Sequence, residues 1–158
     1  DLKAFEIAKD LNIKNIALSF TSDSMDIIKL RSFFKNKIKI TSKIESKKGL
    51  KNLKNILKEA DNILIDRGDL SKEIPLHLIP EKQKEIILLA NKYKTPVYVA
   101  TNLLESMVTS REPTRAEVND VYNTLIDGAN GLVLAAETAI GKYPLECIQM
   151  ILKISKTI

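Results

Sequence analysis

The sequence predicts an α/β fold: a parallel sheet of five strand-then-helix units that form part of a (β/α)8 barrel. Three observations point there. Short β-branched runs alternate with longer amphipathic stretches along the 158 residues. The glycine-rich phosphate loop of an open doubly wound sheet, G-x-G-x-x-G or G-x-x-x-x-G-K-[ST], does not occur. Nearly every predicted strand ends in polar or charged residues, as a barrel requires when functional groups gather on its C-terminal face.

The predicted strands are Asn15–Phe20, Ile38–Glu45, Asn62–Arg67, Pro96–Thr101 and Gly131–Glu137. Each is short, rich in Ile, Val or Leu, and bounded by polar residues. The predicted helices are Leu2–Leu11, Asp23–Lys35, Gly49–Glu59, Pro80–Tyr93, Arg115–Asp127 and Tyr143–Lys156. In the fourth, Ile86, Ile87, Ala90 and Tyr93 fall on one face at helical spacing. Pro80, Pro113 and Pro144 stand at or just before helix starts, where a missing N–H costs nothing. Five units cannot close an eight-stranded barrel, and open edges would leave backbone groups unpaired. The expectation is therefore a fragment, or a chain whose remaining strands come from another polypeptide.

Composition narrows the function. A net charge of +5 allows nucleic acid or an acidic substrate as partner. The lysines are scattered along presumed helix faces with little aromatic interleaving and no Trp, which favours solvated surfaces over a nucleic-acid groove. No apolar run reaches the roughly 20 residues of a membrane span. The single cysteine, Cys147, excludes an internal disulfide and sits in an apolar helical pattern, so packing is its expected role. His77, the one histidine, has no evident partner and reads as a surface residue; no Ser-His-Asp or Cys-His set exists.

Two segments carry chemistry. In Ser42-Lys43-Ile44-Glu45 the strand period of two turns Lys43 and Glu45 to one face, while Ile38, Ile40 and Ile44 take the other under the helices. The charged pair then points into the barrel mouth. Burial there is costly unless the two pair with each other, with a metal or with a substrate. In Asp66-Arg67-Gly68-Asp69, Gly68 permits a tight loop and close approach by a ligand, and Asp69 offers a hard oxygen donor. A plain solvated loop is the alternative. Glu45 and Asp69 together suit one Mg2+ ion. A third segment, Thr114 with Glu117, forms a capping box and leaves Arg111 and Arg115 free for anions or an interface.

Read together, these segments resemble pyruvate kinase. The family's I-S-K-I-E corresponds to Thr41–Glu45, and its R-G-D-L-G-x-E-I-P to Arg67–Pro75. A-T-Q-M-L-E-S-M corresponds to Ala100–Met107, P-T-R-A-E-V-x-D-V to Pro113–Val121, and the segment ending E-T-A-x-G-x-Y-P to Asp127–Pro144. Order and spacing agree over essentially the whole chain.

The resemblance implies strands four to eight of that family's barrel, without the first strands, the lid domain or the C-terminal regulatory domain. It implies phosphoryl transfer between phosphoenolpyruvate and ADP in glycolysis, giving pyruvate and ATP, with Mg2+ (or Mn2+) and K+ as cofactors. Lys43 would stabilise the phosphoryl group, Glu45 and Asp69 would ligate the metal, and Gly68 and Asp69 would hold the substrate carboxylate through their N–H groups. Thr101 would touch the substrate near the carbon that is protonated. Ser19 is the one residue expected to serve the K+ site, and Arg67, Glu137 and Arg115 are further candidates. The intact protein would be a cytoplasmic homotetramer, or one of a plastid-type stroma, and the isolated chain inactive. Three departures stand out: Ala135 and Ala136 replace the family's Ser-Gly, Ser71 replaces a Gly, and Asp66 replaces an Ala. Asp66 brings a negative charge near an anion site unless it faces outward or pairs with a lysine. These departures keep two alternatives open: a catalytically degenerate relative that binds or regulates, and a Mg-dependent lyase barrel acting on phosphoenolpyruvate or pyruvate.

Overall fold

A computed structural model of the chain describes residues 2–34 and 37–158. Strands β1 (Asn15–Leu18), β2 (Lys39–Ile44), β3 (Asn62–Asp66), β4 (Val97–Ala100) and β5 (Gly131–Val133) form one sheet. Its spatial order is β1-β2-β3-β4-β5 and every neighbouring pair is parallel. Sequential order without a reversal is the barrel arrangement, since a doubly wound sheet changes direction at a switch point. The structure is thus a barrel segment, as predicted.

Nine α-helices occur among the described residues: α1 (Leu2–Asp10), α2 (Ser24–Phe33), α3 (Lys47–Lys51), α4 (Leu53–Glu59), α5 (Arg67–Glu73), α6 (Ile79–Tyr93), α7 (Arg115–Ile126), α8 (Ala136–Ala139) and α9 (Pro144–Ser155). Helix starts follow their sequence signals. Thr114 caps α7 in the expected box with Glu117, and Asp23 caps α2 in a second box with Asp26. Helix α6 ends at Lys94, which adopts the left-handed conformation with φ 58°.

Burial alternates along the sheet as a half-covered face demands. Ile40, Ser42 and Ile44 of β2, Ile63 and Ile65 of β3, and Val97 and Val99 of β4 are buried beneath the helices. The apolar ones pack with Ile27 and Leu30 of α2, Ile56 and Leu57 of α4, and Ile86, Ile87 and Ala90 of α6. A smaller core joins Leu103, Leu104 and Met107 to Val121, Cys147 and Ile154, so Cys147 is a packing residue. The opposite face carries Thr41, Lys43, Leu64 and Tyr98 and is only partly covered.

Three local expectations are corrected. The helix expected over Gly49–Glu59 begins earlier and is divided at Asn52 into α3 and α4. Gly49 is needed in α3 because a Cβ there would come 2.7 Å from the Thr21 carbonyl oxygen. Arg67, Gly68 and Asp69 form the first turn of a helix, not a strand end and loop. Strand β5 stops at Val133, and Glu137 lies in α8. The expected end of the second helix, Lys35, lies outside the described residues.

Candidate active site

Strand β2 positions the centre of the site. With Ile44 under the helices, Lys43 turns to the inner face and Glu45 follows it there, just past the strand's end. Lys43 Nζ lies 2.6 Å from Glu45 Oε1 and 3.0 Å from Asp66 Oδ2 at the end of β3. Asp66 therefore faces inward and pairs with the lysine. Burial disfavours charge on Lys43, but its two carboxylate partners outweigh that and hold its pKa above the ordinary 10.5.

Glu45 is fully buried. Its Oε2 accepts a hydrogen bond from the Phe20 N–H, while Oε1 lies in the 2.6 Å ion pair with Lys43 and makes no further hydrogen bond. Asp69, in the first turn of α5, forms a 2.7 Å ion pair with the exposed Lys72. That hydrogen bond and charge lower the Asp69 pKa despite some desolvation. Carboxylate oxygens of Glu45, Asp66 and Asp69 all lie within 4.8 Å of one another.

One partly buried ammonium, Lys43, and one exposed one, Lys72, thus face three carboxylates, and the buried Glu45 Oε1 has no hydrogen bond beyond its ion pair. Such a set of hard oxygen donors fits a divalent cation of the Mg2+ or Mn2+ type. Glu45, Asp66 and Asp69 are the residues able to hold it.

The end of β4 forms the second wall. Thr101 and Asn102 both have positive φ, 70° and 53°. For a β-branched residue this is a strained conformation costing of order 1–3 kcal/mol, of the kind that gathers at functional sites. It turns the Thr101 hydroxyl toward α5, where it accepts a 2.8 Å hydrogen bond from the Gly68 N–H and lies 3.4 Å from Asp66 Oδ1. A Cβ on Gly68 would lie 3.4 Å from that hydroxyl and 3.5 Å from Asp66 Oδ1, so glycine keeps a small cradle open.

The remaining candidates stand elsewhere. Arg67 Nε and Nη2 donate to the Thr101 carbonyl at 3.0 and 2.7 Å, and Nη2 also to the Asn102 carbonyl at 2.9 Å. Its Nη1 pairs with Asp120 of α7 at 2.7 Å. This guanidinium buttresses the strained turn and is not aimed at the cluster. Glu137 is buried with both oxygens satisfied by backbone: Oε1 by the Leu104 N–H at 3.1 Å, Oε2 by the Ala135 N–H at 2.8 Å. Burial pushes its pKa up, but the N–H groups of Ala135, Glu137, Leu104 and Leu103 pull it below its ordinary value. Ser19 is exposed at the end of β1, lining a hollow of about 430 Å³ with Phe5, Phe20 and Phe33. Arg115, at the start of α7, lines a separate hollow of about 460 Å³ with Val118, Tyr122 and Lys153.

Sequence reasoning missed two contributors. Phe20, itself at φ 49°, offers its N–H to Glu45 across 25 residues, and Asp120 anchors Arg67 across 53. Neither pairing leaves a local pattern; only the polar ends of successive strands hint that their loops converge.

Comparison with known proteins agrees with this geometry. A family model described as pyruvate kinase, barrel domain, matches residues 1–148. A pyruvate kinase of Methanocaldococcus jannaschii is 43% identical over 159 residues, covering 99% of this chain and 36% of its own length. One from Thermotoga maritima is 46% identical over 148 residues, covering 92% of this chain and 32% of its own length. One from Thermococcus litoralis is 42% identical, covering 99% of this chain and 34% of its own length. The chain therefore spans about a third of these relatives. Matched across nearly its full length in sequence, and folded as a parallel barrel segment, it belongs to the pyruvate kinase family.

Proposed function

We propose that this chain supplies the metal and phosphoryl side of an active site that transfers the phosphoryl group of phosphoenolpyruvate to ADP, giving pyruvate and ATP in glycolysis. The observation that carries the reading is Lys43, held protonated between Glu45 and Asp66 with Asp69 alongside. Phosphoryl transfer needs positioning and positive charge more than covalent chemistry. Lys43 supplies a fixed cation on a strand, the most rigid kind of support. A divalent cation on Glu45 and Asp69, when bound, would neutralise developing charge on the phosphoryl oxygens and the enolate.

Gly68 and Thr101 then orient the substrate. The Gly68 N–H is engaged by the Thr101 hydroxyl, so a substrate carboxylate binding there displaces that hydroxyl and leaves it facing the reacting carbon. The nucleotide, the K+ ion with Ser19 as this chain's contact, and a homotetrameric cytoplasmic assembly belong to the same proposal for the whole protein.

A second reading is binding without turnover. It is favoured by Ala135, which offers no side-chain hydroxyl and gives its N–H to Glu137. One experiment separates the readings: pyruvate production coupled to lactate dehydrogenase, using the chain joined to its remaining barrel strands and lid. ADP-dependent pyruvate is expected. Phosphoenolpyruvate binding with no pyruvate would replace the transferase by a binding protein. Pyruvate and inorganic phosphate released equally well without ADP would mean transfer to water, a phosphatase; pyruvate released only by carbon–carbon cleavage of a larger 2-oxo acid would make it a lyase.

A further inference from the structure

We infer that Asp66 is a third carboxylate donor to the divalent cation, so that this chain grips the ion with three protein oxygens where Glu45 and Asp69 alone would provide two. The inference rests on the reading of Glu45 and Asp69 as a cation site and goes one residue beyond it.

Asp66 is 8% exposed at the end of β3 and points to the inner face. Its carboxylate oxygens are not saturated. Oδ2 meets Lys43 at 3.0 Å, and Oδ1 has a weak 3.4 Å approach from the Thr101 hydroxyl. A carboxylate offers about four lone-pair positions, so capacity for a metal bond remains. Its neighbours are the strongest argument. A third carboxylate placed within 4.8 Å of two others is repelled by both, and one lysine cannot neutralise three. Lys72 pairs with Asp69 from the solvent side and attracts Asp66 only weakly.

The buried Oε1 of Glu45 meets the Lys43 ammonium at 2.6 Å and makes no further hydrogen bond, so it too keeps lone-pair capacity for a second positive partner. A role for Asp66 as a mere holder of Lys43 would explain the 3.0 Å ion pair. It would not explain why all three acids converge on one point. A divalent ion seated there brings the four charged groups from a net charge of minus two to neutrality.

Mn2+ is the probe. Its binding to the chain can be followed by electron paramagnetic resonance, and the number of waters left on the bound ion by water-proton relaxation. A six-coordinate ion with three protein carboxylates keeps about three waters, and with two keeps about four. About three waters are expected on the unaltered chain, a result that needs no variant to fold. Asp66→Asn should weaken Mn2+ binding about tenfold and raise the hydration by one water, with an unchanged far-ultraviolet circular dichroism spectrum. In a Lys43→Met background the same loss should persist, which a holder of Lys43 would not show. Four waters on the unaltered chain, or an Asp66→Asn titration matching it while Glu45→Gln and Asp69→Asn lose affinity, would overturn the role of Asp66 and leave the two-carboxylate site standing. Absence of Mn2+ binding by the unaltered chain would overturn both.

Discussion

Glu45 and Glu137 are both buried glutamates, 0% and 2% exposed, and they follow the ends of β2 and β5. Their surroundings are opposite. Glu137 is held by backbone N–H groups from its own turn and from the Leu103–Leu104 segment, and no opposite charge is needed to keep it ionised. Glu45 shares one ammonium with Asp66, stands close to Asp69, and keeps an oxygen without a hydrogen bond. A buried carboxylate saturated by backbone fixes structure. One surrounded by like charges and incompletely paired is prepared for a ligand.

The contrast can be broken in several ways, beginning with the largest effect. In an intact, active enzyme, Lys43→Met should lower kcat by about a hundredfold or more with a modest change in KM, because its charge acts on the transition state. Steady-state kinetics with surviving kcat would remove Lys43 from the chemistry. Next, Glu137→Ala should cost about 2–4 kcal/mol, since it strands buried N–H donors that now meet a charged acceptor. Urea unfolding measures this, and Mn2+ affinity should not move. Arg67→Lys should cost about 1–2 kcal/mol, because an ammonium cannot span the Thr101 and Asn102 carbonyls and Asp120 together. A Mn2+ affinity lost along with that stability would show that the buttress and the cation site are one unit.

The smallest effect is in acid. The folded pKa of Glu137 lies below its ordinary 4.5. Its stabilisation is therefore complete above about pH 4.5 and is lost as pH falls through the lower folded value. Thermal unfolding between pH 5 and 3 should show a shallower fall for Glu137→Gln than for the unaltered chain. Parallel curves would mean that the backbone N–H groups do not hold the charge.

Much of this was legible in the sequence. Alternation in Ile38–Glu45 placed Lys43 and Glu45 on the inner face, because a strand's period of two admits only one arrangement once the isoleucines are buried. The possibility that Asp66 pairs with a lysine was also visible. What stayed hidden depended on distant partners. Gly68 is a poor helix former, so Arg67 read as a strand end and Gly68–Asp69 as a loop; the Thr101 hydroxyl that satisfies the Gly68 N–H comes from beyond another strand. Arg67 read as a site candidate because nothing near it in sequence reveals that Asp120 and two carbonyls of a strained turn already claim it. Glu137 read as a polar strand end for the same reason, its partner Leu104 lying 33 residues away.

The contrast between the two glutamates is tested most directly by titrating Mn2+ into Glu45→Gln and Glu137→Gln chains and following free Mn2+ by electron paramagnetic resonance. Glu45→Gln should lose at least about tenfold in affinity, while Glu137→Gln should bind as the unaltered chain does. Equal affinities for the two variants, or a loss confined to Glu137→Gln, would contradict the assignment of Glu45 to a cation site.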